Sequence, residues 1–195
     1  MKLLSIDCEA FYDADFLGRT KAKSLFDEII SSFDVTNKTV KMADGSEQIT
    51  ELGTYLFADA ELTSFEAFPK VWGKRSAWPQ TLANVRDCIE RKTGVRFQVA
   101  RCVYYQSGSK SMGFHRDLPA YGDTSAIASL SLGAEREFIF RKPTNPNESF
   151  AIPLASGSLL FMGKGCQENY EHALIADPQC NQPRLNLTFR KYGWG

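Results

Sequence analysis

The chain has 195 residues, 43% of them apolar, so it is long and apolar enough to fold around a core of its own. Its 23 basic and 23 acidic residues balance, which excludes a uniformly basic nucleic-acid binder and leaves only local contacts with nucleic acid. No apolar run approaches the length of a membrane span, and acidic residues at positions 7 and 9 do not fit a secretory signal.

The cysteines, at positions 8, 88, 102, 166 and 180, are odd in number and form no C-x-x-C pair. This pattern favours a reduced intracellular compartment over a disulfide framework. We therefore expect the protein in the cytoplasm or, if the source is eukaryotic, in the nucleus. We also expect a monomer without a membrane partner.

Two amphipathic helices are predicted in the first half of the chain. Between positions 20 and 33, apolar residues recur at three- and four-residue spacing. A second helix is predicted between Trp78 and Gly94, because Pro79 stands near a first-turn position and Gly94 just past the last apolar residue of the pattern. The segment between the helices, residues 38–72, is predicted to be mostly loop or short strand.

From residue 96 onward, the helical period gives way to short strand-like runs separated by turn residues. The predicted strands span residues 97–105, 126–132, 137–141, 150–154, 158–162, 171–175 and 185–190. Successive strands without intervening helices predict an antiparallel barrel or sandwich, with the N-terminal helices packed against one face.

A candidate metal site stands in His115-Arg116-Asp117. Residues at i and i+2 of an extended strand point to the same side, so the imidazole and the carboxylate can converge. The second of the two histidines, His172, lies in a strand-like stretch that can return beside the first pair. Two histidines and one carboxylate leave open positions on an octahedral ion, as in non-haem iron(II) oxygenases. An H-x-D triplet alone is a weak signal.

The segment 184–190 alternates strictly between apolar and polar residues. The pattern places Leu185, Leu187 and Phe189 on a core face and Arg184 and Arg190 on the opposite face. The guanidinium fork of arginine binds carboxylates through two parallel hydrogen bonds. Together with the metal motif, the two arginines predict a site for a short dicarboxylate; alone, they would indicate a solvated strand face.

Five motifs in order and spacing resemble the catalytic core of the AlkB family of iron(II)- and 2-oxoglutarate-dependent dioxygenases. They are His115-Arg116-Asp117, the segment 127–134, the segment 157–162, His172 and the segment 184–190. The resemblance covers residues 97–190, about half the chain. It implies a double-stranded β-helix, or jelly-roll, that is mainly β with flanking α.

The resemblance also implies roles for individual residues. His115, Asp117 and His172 would hold Fe(II), and Arg184 would bind the distal carboxylate of 2-oxoglutarate. Three further residues would assist with the cosubstrate: Tyr105, Asn186 and Arg190. The implied reaction couples decarboxylation of 2-oxoglutarate to succinate and CO2, with O2, to hydroxylation of a nearby C–H bond. A methyl group on a base nitrogen would leave as formaldehyde, as in DNA or RNA repair.

Two positions depart from the family pattern. Val103 stands where the motif usually has asparagine, so one polar contact is missing or is supplied elsewhere. Pro119 stands where DNA-repairing members commonly carry an acidic residue that meets the target base. The aromatic stretch around residues 54–68 also lacks the tyrosine-rich pattern expected of a base clamp. Together with Pro119, it predicts either altered base recognition or a substrate that is not a base.

Residues 1–95 are interpreted as a helical and substrate-lid part, and residues 96–195 as the jelly-roll core of a single domain. Tyr55, Phe57, Trp72 and Arg116 are the candidate substrate contacts. The wider aromatic-rich approach adds Phe65, Phe68 and Trp78. Candidate phosphate contacts are Lys70, Lys74, Arg75, Arg136, Arg141 and Lys142.

Three interpretations remain open at this point. The first is an N-demethylase of alkylated DNA or RNA, and the second applies the same iron chemistry to a protein side chain or a small molecule. The third is a non-catalytic jelly-roll binding module. Turnover of 2-oxoglutarate separates the third from the others, and stimulation by methylated oligonucleotide separates the first from the second.

Overall fold

The computed structural model describes residues 1–41, 44–64 and 73–193. The strands are β1 (Lys2–Leu3), β2 (Ala10–Asp13), β3 (Thr39–Lys41), β4 (Glu47–Ile49), β5 (Gly53–Ala58), β6 (Lys74–Ala77), β7 (Val99–Tyr105), β8 (Met112–His115), β9 (Ile127–Gly133), β10 (Arg136–Lys142), β11 (Asn145–Leu154), β12 (Leu159–Met162), β13 (Glu171–Leu174) and β14 (Arg184–Arg190). The helices are α1 (Arg19–Ser32), α2 (Gln80–Thr93) and the single turn α3 (Cys166–Asn169), with a 3-10 turn at Ala60–Leu62.

The described strands form two main sheets and a small hairpin. The larger sheet has the order β1-β2-β12-β9-β14-β7-β5-β6, and the smaller sheet has the order β11-β10-β13-β8. Apolar residues from both sheets share one buried cluster, in which Val103, Tyr105 and Leu160 of the large sheet meet Phe138 and Phe140 of the small one. Two antiparallel sheets that face each other across such a core form the predicted jelly-roll.

Helices α1 and α2 cover the outer face of the large sheet. Leu25 and Ile29 of α1 and Leu82 and Ile89 of α2 are buried against the outward side chains of the central strands, such as Leu187. Burying one such aliphatic side chain contributes about 1.5–3 kcal/mol, so this second core stabilises the sheet on which the pocket is built. The inner face of the sheet is thereby left for the site.

Both predicted helices and all seven predicted strands are confirmed, with ends that shift by a few residues. Helix α2 ends as the sequence predicts, because Gly94 adopts a left-handed conformation with φ 71°. The N-terminal half contributes more strand than predicted, since β1, β2, β5 and β6 all join the large sheet. Strand β5 is buried on both faces, so its sequence lacks the alternation of apolar and polar residues that would have predicted a strand.

The expectation about cysteines is wrong in one respect. Cys8 and Cys166 form a disulfide, with Cα atoms 5.1 Å apart and a sequence separation of 158. Such a pair leaves no local spacing pattern, because only the tertiary fold brings the loop after β1 against α3. Cys88, Cys102 and Cys180 are free thiols. No helix within the described ranges is both long and apolar enough to cross a membrane.

Candidate active site

Three metal-binding side chains meet between the two sheets. His115 is the last residue of β8, Asp117 follows two positions later, and His172 lies on β13. Strands β8 and β13 pair with His172 directly opposite His115, which brings the two rings to a centroid distance of 4.5 Å. One ligand atom from each of the three residues lies within 4.8 Å of the other two. The pairing of two strands thus assembles the predicted triplet.

Local contacts orient each ligand. His115 donates a hydrogen bond from Nδ1 to the carbonyl of Gly113 at 2.7 Å, which fixes the proton on Nδ1 and leaves Nε2 as a donor atom for a metal. Asp117 donates its backbone N–H to Oε1 of Gln167 at 2.8 Å. His172 is buried and stacks on Phe138, and burial lowers its pKa to about 4. His172 is therefore a neutral imidazole at physiological pH.

Asp117 is held as a carboxylate despite its burial. Burial by itself would raise the pKa of Asp117, but nearby positive charge, that of Arg190 above all, lowers it overall. Arg190 donates from Nη2 to Oδ1 of Asp117 and from Nη1 to the carbonyl of Leu118 at 2.8 Å. Oδ2 of the same carboxylate lies 3.8 Å from Nε2 of His172, which is longer than a hydrogen bond.

The donor set fits Fe(II). Two neutral imidazoles and one carboxylate on the same side of an ion are the protein ligands of non-haem iron(II) oxygenases. Nε2 of His172 and Oδ2 of Asp117 lie 3.8 Å apart without a hydrogen bond between them, so both atoms are available to one ion. His115, Asp117 and His172 are therefore the residues that would hold the metal.

Deeper between the sheets lies a second charged group. Arg184 is 1% exposed and is the largest fully buried side chain of the described chain. It donates from Nη2 to Oγ of Ser131 at 2.9 Å and to Oδ1 of Asn186 at 3.0 Å. Its guanidinium lies 5.3 Å from the ring centroid of Tyr105. Burial lowers the pKa of Arg184 to about 10, so it is still a cation at neutral pH.

The surroundings of Arg184 fit a bound carboxylate. Within the described ranges no Asp or Glu forms a salt bridge with it, and its Nε has no hydrogen-bond partner. A buried cation without a counter-ion is unfavourable, and an anionic ligand removes that cost. Arg184, Tyr105, Asn186 and Arg190 line one pocket with the three metal ligands. The predicted cosubstrate residues therefore face the predicted metal site.

The departure at Val103 has a structural answer. Val103 is buried directly across from Asn186 in the pairing of β7 with β14. The amide oxygen of Asn186 accepts hydrogen bonds from Oγ of Ser129 at 3.0 Å and from Arg184. Asn186 thus takes its polar partners from Ser129 and Arg184, and not from position 103.

The structure corrects two of the predicted substrate contacts. Tyr55 and Phe57 are buried on the helix-facing side of β5, where both pack against Phe33 of the outer core. Their alternate neighbours on the strand, such as Leu56, face inward. Trp72 lies outside the described residues, and Arg116 is exposed and lines an outer cavity of about 820 Å³ beside the metal ligands.

Several residues of the wider set of predicted substrate contacts also lie away from the pocket or are already paired. Trp78 stacks on Phe189 of the outer core and donates to Asp59, so it is not an approach to the pocket. Arg136 is buried, where it donates to backbone carbonyls and cannot reach a phosphate. Three of the other candidate phosphate contacts form ion pairs with carboxylates: Lys74 with Asp34, Arg141 with Glu171, and Lys142 with Asp7 and Glu148. Arg75 is half-buried. Phe65, Phe68 and Lys70 lie outside the described residues.

Sequence reasoning missed four residues of the site: Arg101, Met112, Tyr121 and Gln167. Arg101 and Met112 line both the inner pocket and the outer cavity, and Tyr121 lines the outer one. Arg101 could have been found, because strand alternation places it on the same face as Tyr105. Tyr121 and Gln167 carry no such signal, since each reaches the site from an irregular or single-turn segment.

Comparisons with known proteins agree with this geometry. The model of the 2OG-Fe(II) oxygenase superfamily matches residues 10–190. The chain is 35% identical over 122 residues to the alpha-ketoglutarate-dependent dioxygenase alkB homolog 3 of Homo sapiens, which covers 58% of this chain and 43% of the human protein. It is 36% identical over 146 residues to the DNA oxidative demethylase ALKBH2 of Mus musculus, which covers 71% of this chain and 56% of the mouse protein.

A solved structure of OsALKBH1 matches with a TM-score of 0.63 at 14% identity, over 96% of this chain and 100% of that one. This likeness concerns the fold alone. The chain spans about half the length of the curated human and mouse relatives it matches.

Proposed function

Because this chain belongs to the 2OG-Fe(II) oxygenase superfamily, we propose that it is a dioxygenase that removes methyl groups from alkylated bases of DNA or RNA. The observation that carries the proposal is a buried arginine, paired with no carboxylate of the described residues, in the same pocket as a two-histidine, one-carboxylate triplet. Relatives at about 35% identity are named as alpha-ketoglutarate-dependent dioxygenases and DNA demethylases, which supports the choice of cosubstrate and of nucleic acid.

The residues of the pocket have separate roles in the proposed reaction. Bound Fe(II), with 2-oxoglutarate and O2, supplies the oxidising chemistry that hydroxylates a C–H bond. His115, Asp117 and His172 would hold the metal, and 2-oxoglutarate and oxygen would react there. Arg184 orients the distal carboxylate of 2-oxoglutarate, and Asn186 and Arg190 orient the end near the metal.

The substrate reaches the metal ligands from the outer cavity. Arg116 is exposed at its rim, where it can contact a phosphate of the strand that carries the target base. Hydroxylation of an N-methyl group gives an N-hydroxymethyl group. Its C–N bond then breaks, formaldehyde leaves, and the hydroxyl proton passes to the base nitrogen. We also propose that the enzyme is a monomer and that it acts in the cytoplasm or nucleus.

The test is release of formaldehyde and succinate from methylated single-stranded DNA, duplex DNA and RNA of one sequence, with Fe(II), ascorbate, 2-oxoglutarate and O2. We expect formaldehyde in proportion to succinate, and neither product in excess with unmethylated strands. Succinate stimulated by peptides or small molecules, and not by methylated strands, would instead support oxidation of another substrate. No succinate under any condition would support a non-catalytic binding module.

A further inference from the structure

A disulfide lies next in sequence to the residue that orients a metal ligand. Cys166 begins the single-turn helix α3 and is bonded to Cys8, in the loop after β1. The next residue, Gln167, accepts through Oε1 a hydrogen bond from the backbone N–H of Asp117 at 2.8 Å. One covalent bond therefore anchors the turn that holds the carboxylate ligand.

Helix α3 is too short to hold its own position. It spans four residues, and a single helical turn gains too few hydrogen bonds to offset the ordering of its backbone. Its place comes from the loop after β1. At its end, Nδ2 of Asn169 donates to the carbonyl of Asp7 at 2.8 Å, and the hydroxyl of Tyr170 accepts from the N–H of Asp7 at 2.9 Å. At its start, beside Gln167, stands the disulfide.

The side chain of Gln167 follows the backbone of α3. It is buried, and its Nε2 meets the sulfur of Met162 at 3.8 Å. A thioether sulfur is a weak acceptor, so this contact fixes the amide only weakly. Asp117 lies beyond the end of β8, where strand pairing does not hold its backbone. A shift of α3 therefore moves the acceptor away from the N–H of Asp117.

The two sulfurs of the disulfide differ in exposure. Cys8 is half-buried, whereas Cys166 is 1% exposed. Thiol–disulfide exchange requires access to the sulfur that is attacked. A thiol can therefore attack Sγ of Cys8, with Cys166 as the leaving group.

The other cysteines indicate that the bond is reversible. Cys88, Cys102 and Cys180 are free thiols, and Cys88 is exposed. Three free thiols beside one disulfide are not the pattern of a disulfide-dense secreted domain. In the cytoplasm or nucleus proposed above, thiols are kept reduced, and disulfides that form there are usually transient and redox-sensing.

We propose that Cys8 and Cys166 form a reversible redox site that regulates metal binding. The disulfide form holds α3 so that Gln167 positions Asp117, and the dithiol form binds the metal more weakly. This inference rests on the proposed function and deepens it by naming a regulation of its metal site.

The exchange that converts one form into the other uses a dithiol reductant. A thiolate of the reductant bonds to Sγ of Cys8, the bond between Cys8 and Cys166 breaks, and Cys166 leaves as a thiolate that takes up a proton. The second thiol of the reductant then releases Cys8 as a thiol. The protein gains two electrons and two protons, and the reductant becomes a disulfide. Oxidised glutathione reverses the change and is itself reduced to glutathione.

Reduction should loosen α3 without releasing it. The N–H of Glu9 donates to the carbonyl of Lys164 at 2.9 Å, and the N–H of Gly163 donates to the carbonyl of Glu9 at 2.6 Å. These bonds do not involve sulfur, so the two segments stay together in the dithiol form. We therefore expect the Kd for a metal ion to rise by about 5-fold, less than the loss of a partner of a metal ligand would cause.

The experiment measures the Kd for Mn(II), in place of Fe(II), by electron paramagnetic resonance on the metal-free protein in both forms. A phosphine reduces the disulfide and is removed by gel filtration under argon. Titration of thiols in denaturant should give three before reduction and five after it. The reduced wild type should bind Mn(II) about 5-fold more weakly, and oxidised glutathione should restore the affinity.

Three variants assign the effect to this path. Cys8→Ser should bind Mn(II) as the reduced wild type does and should not respond to the reductant. Cys88→Ser, which removes an exposed free thiol, is the matched control and should respond as the wild type does. Gln167→Leu should bind weakly and equally in both forms, because the side chain through which the disulfide acts is absent.

The possible failures are distinguishable. Equal affinities of the two wild-type forms, or five thiols in the protein purified in air, overturn the redox site. A reduction effect that persists in Gln167→Leu overturns the path through Gln167.

Formaldehyde release from methylated oligonucleotide is measured on the same two preparations. Formaldehyde together with a Kd that ignores reduction leaves demethylation standing and overturns the redox site. A Kd that responds to reduction without any formaldehyde supports the redox site and overturns demethylation. Circular dichroism at the temperature of the binding measurement identifies a variant that has lost its fold, in which case reduction of the wild type decides.

Discussion

The metal and cosubstrate end of the pocket differs from its substrate end in how it is built. The first is carried by paired strands, with His115 across from His172 and the arginines of β14 on one alternating face. The second is formed largely by the segment that follows Asp117 and by rim side chains such as Arg116. Rigid strands fix ligand geometry, whereas irregular segments vary among proteins that share a scaffold. We therefore expect the strands to determine the proposed reaction and the cavity rim to determine the choice of substrate.

The largest expected effect tests the strand-built end. His115→Ala should lower succinate formation by more than about 1,000-fold, because one of three metal ligands is lost. Since His115 is only half-buried, the free energy of unfolding of the variant should differ from that of the wild type by no more than about 1 kcal/mol. Urea unfolding and Mn(II) binding followed by electron paramagnetic resonance check both parts.

Asp117→Ala provides the contrast within the same triplet. It should abolish turnover equally, but it leaves the buried guanidinium of Arg190 without its carboxylate and should destabilise the fold by about 3–5 kcal/mol. Equal stability of the two variants would mean that the pair of Asp117 with Arg190 does not form in solution. The exposed Glu168→Ala is the control for both and should retain activity.

The next effect concerns the cosubstrate. Arg184→Met should raise KM for 2-oxoglutarate by about 100-fold, since the buried counter-charge of a carboxylate is removed. In the absence of cosubstrate, the same variant should unfold with a free energy no more than about 1 kcal/mol below that of the wild type, because it also removes an unpaired buried cation. The increase in melting temperature with added 2-oxoglutarate should vanish. An unchanged KM would contradict the role of Arg184.

A smaller effect is expected for the contact that positions Asp117, the metal ligand that lies outside the strands. Gln167→Leu removes the acceptor for the backbone N–H of Asp117 and should weaken Mn(II) binding by about 10-fold. Gln167→Glu retains an acceptor oxygen and should restore much of the affinity. Its neighbour Glu168→Gln, exposed on the same turn, is the matched control. If all three variants bind Mn(II) as the wild type does, Gln167 does not position Asp117.

The same division explains what the sequence could predict. Alternation in residues 184–190 and the i, i+2 spacing of His115 and Asp117 are local patterns, so the shared faces of these residues follow from them. The strands after residue 96 were predictable for the same reason. The assignment of His172 to the triplet and the cosubstrate role of the arginines came from the resemblance to the AlkB family. Gln167 meets Asp117 across 50 residues, and Cys8 meets Cys166 across 158, and no local pattern records such contacts.

The misplacement of Tyr55 and Phe57 has a different cause. An aromatic-rich segment before the catalytic motifs can indicate a base clamp or a core strand, and composition does not distinguish the two. The face of β5 on which an aromatic residue falls is fixed by its register against β7, where Tyr55 pairs with Cys102 and Phe57 with Ala100. A shift of one residue would turn both rings toward the pocket.

The smallest expected effect on catalysis tests this register directly. Phe57→Leu should lower the free energy of unfolding by about 1 kcal/mol, because a smaller side chain fills a fully buried position against Phe33. Its kcat/KM on methylated oligonucleotide should equal that of the wild type, since the ring lies on the helix side of the sheet. Urea unfolding and formaldehyde release measure the two quantities on the same preparation. A loss of activity at unchanged stability would place Phe57 in the substrate path and would mean that β5 pairs with β7 in another register.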